Sequence, residues 1–126
     1  MLQTRTRSAG GIFAIEESGD TIVVLPTKDL RELDYGRIDR GAMDIFDLLS
    51  QDEIKHIVVD LQKSDYSGSS ALAFFVKLWE TIDKVNGRMA FCNVSDHEKD
   101  ILRVTYLDQL WPICSSRSEA LDAVRR

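Results

Sequence analysis

With 126 residues, 44% of them hydrophobic and 29% charged, the chain has room for one domain with a substantial core and none for a second. Its net charge of −5 is modest and its charges are scattered, so no basic stripe is available to neutralise a phosphate backbone, and direct nucleic-acid binding is not expected. The longest unbroken apolar run, Ala71 to Val76, falls far short of the about 20 residues that a membrane-spanning helix needs, so a soluble protein without membrane contact is expected.

Met1 to Ser8 carries two arginines with no apolar stretch behind them, which is not the pattern of a secretory signal. Residues 1–11 read as a flexible tail, with the domain occupying 12–126. Ile12 to Ile15 and Thr21 to Leu25 are β-branched and aromatic runs separated by polar residues ending in Gly19-Asp20, which predicts an antiparallel hairpin closed by Pro26. Thr27 to Arg37 is charged and weakly periodic and reads as loop. From Ile38, the residues Ala42, Ile45, Phe46 and Leu49 fall at helical spacing and predict an amphipathic helix ending near Gln51.

Ile54 to Leu61 is nearly continuous in apolar residues, as a central strand would be, with Ile57, Val59 and Leu61 on one face and Val58 on the other. It empties through Ser64-Asp65-Tyr66-Ser67-Gly68 into a helix carrying Ala71, Phe75, Leu78, Ile82 and Val85 inward and stopped by Asn86-Gly87. Phe75 and Trp79 read as core. Arg88 to Val94 predicts another strand, then Ser95 or Asp96 caps a helix running through Ile101 and Leu102 to Tyr106. Trp111 to Cys114 gives a short strand, and Ser116 or Ser118 caps a last helix with Ala120, Leu121 and Val124 inward. The alternation implies an α/β fold, a mixed and mostly parallel sheet of about five strands with about four helices. Cys92 and Cys114 lie in strand-like runs and read as free buried thiols, consistent with a cytoplasmic protein.

Functional groups in open α/β sheets gather beyond the carboxyl ends of strands, which draws attention to the turn before the second helix. The hydrolase elbow Gly-x-Ser-x-Gly is not met, because Asp65 stands two before Ser67 and Gly68 follows it directly. A P-loop is excluded because no lysine follows until Lys77. Neither cysteine belongs to a C-x-x-C pair, and His56 and His97 fit no zinc spacing, so no catalytic residue, metal or cofactor is expected. What remains is Ser67 as cap and uncovered hydroxyl at a helix N-terminus, beside Asp65, Tyr66, Gly68 and Ser69 as a surface on which a partner could dock.

The turn Asp65-Tyr66-Ser67-Gly68 after the strand Ile57 to Leu61, with the ending Tyr106-Leu107-Asp108-Gln109-Leu110-Trp111-Pro112-Ile113 and Glu119-Ala120-Leu121, resembles the STAS domain of bacterial anti-sigma factor antagonists. The resemblance spans about residues 12 to 125. It implies that Ser67, just before the glycine, is phosphorylated by an anti-sigma factor with serine-kinase activity and dephosphorylated by a serine phosphatase. It further implies that only the unphosphorylated form binds the anti-sigma factor, as a monomer or weak dimer. The chain departs from the family in carrying Tyr66 where a small Ser or Thr is usual, a larger ring that alters the docking surface. A different reading of the same fold is a scaffold or sensor component that binds other proteins without phosphate turnover.

Overall fold

The computed structural model describes residues 5–51 and 53–126. In chain order the elements are β1 (Arg5–Ala9), β2 (Phe13–Ser18), β3 (Thr21–Pro26), a short 3-10 turn (Glu32–Asp34), α1 (Tyr35–Gln51), β4 (His56–Asp60) and α2 (Ser69–Asp83), followed by β5 (Met89–Cys92), α3 (Asp96–Val104), a second 3-10 turn (Leu107–Gln109), β6 (Ile113–Cys114) and α4 (Arg117–Arg125). The strands form one sheet in sequence order, antiparallel from β1 to β3 and parallel from β3 to β6. The α/β class with a mixed, mostly parallel sheet and four α-helices is as the sequence predicts.

The sixth strand comes from the segment read as a tail. Residues 1–4 lie outside the described residues, but Arg5 to Ala9 pairs with Phe13 to Glu17 as a regular antiparallel ladder. Its sequence Arg-Thr-Arg-Ser-Ala has almost no apolar content, and it joins the sheet through main-chain pairing with the β2 edge, an Arg7–Glu17 ion pair at 2.8 Å and burial of Ala9 in the larger core. Thr27 to Arg37 is also more ordered than expected. It contributes a bridge from Leu30 to Ser67, the first 3-10 turn and the first residues of α1.

Period-2 alternation in the central strands separates two cores. Ile22, Val24, Ile57, Val59, Met89 and Phe91 face α1 and α2 in the larger one, whereas Val23, Val58, Ala90 and Cys92 meet Ala120 and Val124 of α4 on the other side. In the larger core, Phe75 packs edge-on to Phe91 at 5.2 Å, Phe91 stacks on Trp111 at 5.0 Å, and Trp79 lies against Trp111 at 6.4 Å. Phe75 and Trp79 are therefore core residues, as their spacing indicates.

Helix α2 ends differently from the expectation. Asn86, at φ 61°, takes the left-handed position, the N–H of Gly87 bonds to the Ile82 carbonyl and that of Asn86 to the Asp83 carbonyl. Glycine is needed at 87 for another reason, since a Cβ there would sit 1.8 Å from the Lys55 carbonyl oxygen. Val85 lies past the last turn and is exposed. Ser95 and Ser116 are the caps of α3 and α4, each accepting the N–H three residues on. Cys92 is buried, Cys114 half-buried, and both are free thiols.

Behind β4, on the α4 side, the fully buried Asp60 is held by four donors. They are the Gln62 N–H and Asn93 Nδ2 on Oδ1, and Gln62 Nε2 and Arg117 Nε on Oδ2 at 2.9 Å. Arg117 also pairs with Glu16, tying the first residue of α4 to β2 and β4. Burial by itself pushes the Asp60 carboxyl up, but the bonds from Asn93, Arg117 and Gln62 outweigh it and hold it below the usual range. A depressed carboxyl stabilises the fold above its ordinary pKa and loses that contribution as pH falls through the folded-state value. Arg117→Met should therefore destabilise the protein at pH 7 by up to about 3 kcal/mol, the low end of what removing one member of a buried ion pair costs, and the cost should shrink as pH falls below the ordinary carboxylate range; urea unfolding across an acid pH series checks this.

Candidate functional site

β4 leaves the sheet at Asp60 and must turn back into α2 without stranding main-chain groups inside the protein. The solution is a second main-chain partner. The Leu30 N–H donates to the Tyr66 carbonyl at 2.8 Å and the Gly68 N–H donates to the Leu30 carbonyl at 2.8 Å, so residues 66–68 are bracketed by the loop before α1. The Asp65 N–H donates to Asp29 Oδ1 at 2.7 Å, and the Ser64 hydroxyl donates to the Tyr66 carbonyl at 3.2 Å. The Tyr66 hydroxyl donates to Glu32 Oε1. A side chain at 68 would place its Cβ 2.9 Å from the Glu32 carboxyl, which only glycine avoids while that pair stays closed. Tyr66 also faces His97 at 6.1 Å between ring centroids, and His97 lies 3.8 Å from the Asp65 carboxylate.

Two expectations at this turn are overturned. Ser67 does not cap α2. The N-cap is Gly68, which offers no side-chain bond, so the helix's first N–H groups receive no side-chain cap. Nor is the Ser67 hydroxyl uncovered, for the residue is only 2% exposed and the hydroxyl donates to Glu98 Oε2 at 3.2 Å. The reason lies in the bridge to Leu30, which ties the backbone to both sides of Ser67. Of the residues expected to dock a partner, Asp65 and Ser69 face solvent, Tyr66 is half-exposed, and Gly68 is buried.

Sequence reasoning did not single out Glu98. Ser95-x-x-Glu98 looks like a helix-capping box, in which the glutamate reaches back to the cap's own N–H. Here the glutamate instead turns inward, is fully buried, and leaves Oε1 without a hydrogen-bond partner. The signal available in the sequence was its four-residue spacing from Leu102, the other buried residue of α3. Burial pushes the Glu98 carboxyl up to about 7, with the Ser67 hydroxyl opposing the shift, Asp65 adding to it, His97 opposing it and Asp29 adding to it.

Among the described residues no cluster of His, Cys, Asp or Glu is arranged to hold a metal ion, and no helix is long and apolar enough to cross a membrane.

The STAS domain family matches residues 14–120. The chain belongs to that family. A STAS-domain containing protein of Pseudomonas aeruginosa is 33% identical over 98 residues, 73% of this chain and 97% of that protein. The anti-sigma F factor antagonist of Paenibacillus polymyxa is 27% identical over 90 residues, 71% of this chain and 77% of that one. Among solved structures, unphosphorylated SpoIIAA, an anti-sigma factor antagonist, superposes with a TM-score of 0.71 at 17% identity over 99% of this chain and 96% of its own. The phosphorylated form of SpoIIAA, a Bacillus cell fate determinant, superposes at 0.65 with 16% identity over 99% and 100%. This STAS domain thus shares the SpoIIAA fold.

A carboxyl whose folded-state pKa is raised contributes stability that is fully present below its ordinary pKa of 4.5 and lost as pH climbs through about 7. Glu98→Gln carries no such penalty. Its stability relative to the native chain should therefore rise by about 3 kcal/mol between pH 4 and pH 8 in urea unfolding, whereas a pH-independent difference would mean that Glu98 ionises as freely as a surface carboxylate.

Proposed function

We propose that the protein is an anti-sigma factor antagonist working by partner switching: its unphosphorylated turn binds an anti-sigma factor with serine-kinase activity, and phosphorylation of Ser67 ends the complex. A serine phosphatase restores the binding form. The protein itself is not an enzyme in this scheme and acts in the cytoplasm. The observation that carries the reading is the position of Ser67, directly before the uncapped N-terminus of α2 at the carboxyl end of a central strand. The likeness to the Paenibacillus polymyxa antagonist supports it, as does a shared fold with a protein solved in both phosphorylated and unphosphorylated forms.

Phosphoryl transfer requires the Ser67 hydroxyl to leave its buried position and face solvent. The opening needed is local, because Ser67 sits in a short turn whose neighbours Asp65 and Ser69 are exposed, and the rest of the domain need not unfold. Once attached, a phosphate of about −1.5 to −2 charges meets free N–H groups and the positive end of the α2 dipole, so the helix persists. The docking surface changes sharply, since that charge joins Asp29, Glu32 and Asp65, and burying it unpaired against a partner costs several kcal/mol, each 1.4 kcal/mol being tenfold in affinity.

The burial of Ser67 also favours a second reading, in which Asp65, Tyr66 and Ser69 bind another protein with no phosphate turnover. Incubation with the cognate kinase and ATP, followed by mass-spectrometric mapping, separates the two. Phosphate on Ser67, lost in Ser67→Ala, with at least tenfold weaker binding of the phosphorylated chain to the kinase by calorimetry, is the expected result. Phosphate on Ser69 would relocate the switch, and no phosphate with retained binding would establish the scaffold instead.

A further inference from the structure

We propose that Glu98 is a positioning residue that holds the Ser67 hydroxyl inside the protein, firmly when its carboxyl is charged and loosely when it is neutral, so that acidification frees the phosphoacceptor. The inference rests on the reading of Ser67 as the phosphoacceptor and deepens it by naming the contact that regulates its release. Glu98 takes no part in the transfer itself, because the hydroxyl has left it by then.

Two helices of the chain begin with Ser-x-x-Glu, and they treat the glutamate differently. At α4, Ser116 accepts the Glu119 N–H and Glu119 Oε2 accepts the Ser115 N–H at 3.1 Å, an exposed cap that satisfies a main-chain donor. At α3, Ser95 accepts the Glu98 N–H at 3.1 Å in the same way, yet the Glu98 carboxyl is turned into the protein and onto Ser67. Capping therefore does not account for its orientation. The inward face of α3 otherwise carries Leu102, and an apolar residue at 98 would leave no polar atom orphaned there. What the carboxyl gains over such a residue is one contact, the 3.2 Å bond from the Ser67 hydroxyl. The clasp by Leu30 engages the Tyr66 carbonyl and the Gly68 N–H and leaves the Ser67 side chain without a main-chain partner in it. Rotation about one side-chain bond, with the clasp intact, is thus the smallest motion that ends the contact.

The coupling between the two groups has a fixed sign. Burial pushes the Glu98 carboxyl up to about 7 and the Ser67 hydroxyl opposes that shift, so contact with Ser67 favours the charged form. Reciprocity then requires the charged form to favour the contact. With Oε1 already orphaned, a charged Glu98 that lost Ser67 would keep no side-chain donor at all, whereas a neutral one loses only an ordinary hydrogen bond. The charged groups around it come from three elements. Asp65 in the turn and Asp29 in the loop before α1 oppose ionisation, and His97 in the first turn of α3 favours it. Because the carboxyl changes charge near neutrality, a modest acidification moves the hydroxyl from held to released.

Three-bond Hα–Hβ couplings report the Ser67 side-chain rotamer in NMR of the full chain, with no kinase present. They should show a single rotamer at pH 8.5 and averaging among rotamers at pH 6, with a midpoint near 7. Glu98→Gln, which keeps an acceptor but never ionises, should average at both pH values. A native chain held equally at both, one that loosens as pH rises instead, or a step that survives in Glu98→Gln and so belongs to His97 or the aspartates, overturns the proposal. With the cognate kinase and ATP, the ratio of the Glu98→Gln transfer rate to the native one cancels the kinase's own pH dependence. It should be about tenfold at pH 8.5 and approach one at pH 6. A ratio of one at both values overturns the regulation of phosphorylation by this contact and leaves the partner-switching reading standing. Absence of phosphate from the native chain refutes Ser67 as phosphoacceptor and the regulation with it, while the couplings still decide whether Glu98 holds the hydroxyl.

Discussion

The arrangement around the turn follows from one constraint: β4 is buried on both faces, and at its carboxyl end the chain is still inside the protein when its apolar residues run out. Polar groups there must find partners without help from bulk water. On the α4 side this need falls on Asp60, which four donors surround. On the α1 and α2 side it falls on the main chain of residues 66–68, which borrows the N–H and carbonyl of Leu30. The second of these solutions draws Ser67 inward, and the inward Ser67 in turn gives the Glu98 carboxyl a partner.

Much of the architecture was legible because apolar spacing and capping chemistry are local signals. The alternation of Ile57, Val58 and Val59 between the two cores, the hairpin closed around Gly19-Asp20, and the caps of α3 and α4, each narrowed to two residues of which Ser95 and Ser116 proved to be the caps, could be read from the sequence. Strand β1 was hidden because its pairing to an edge is mostly main-chain and buries only the small Ala9 of Arg5 to Ala9. The bridge from Leu30 to Ser67 was hidden because it joins residues far apart through backbone atoms alone.

The site was half-legible. Its location followed from the strand, turn and helix, and the family resemblance singled out the residue before Gly68. The surroundings of that residue did not follow. A serine preceding a helix suggests a cap, yet the helix starts one residue later than that reading requires, at Ser69, with Gly68 as its cap. A glutamate three residues past a capping serine suggests an exposed acid, whereas Glu98 shares the inward face of α3 with Leu102. In both places a local rule was overridden by packing across elements.

Because Leu30 clasps the turn by peptide groups, substitutions at 65, 66 or 69 leave those clasping bonds in place. Recognition chemistry can therefore diverge on a rim whose underlying frame stays constant. At Tyr66 the two layers part within one residue, its carbonyl held by the Leu30 N–H while its side-chain hydroxyl reaches out to Glu32.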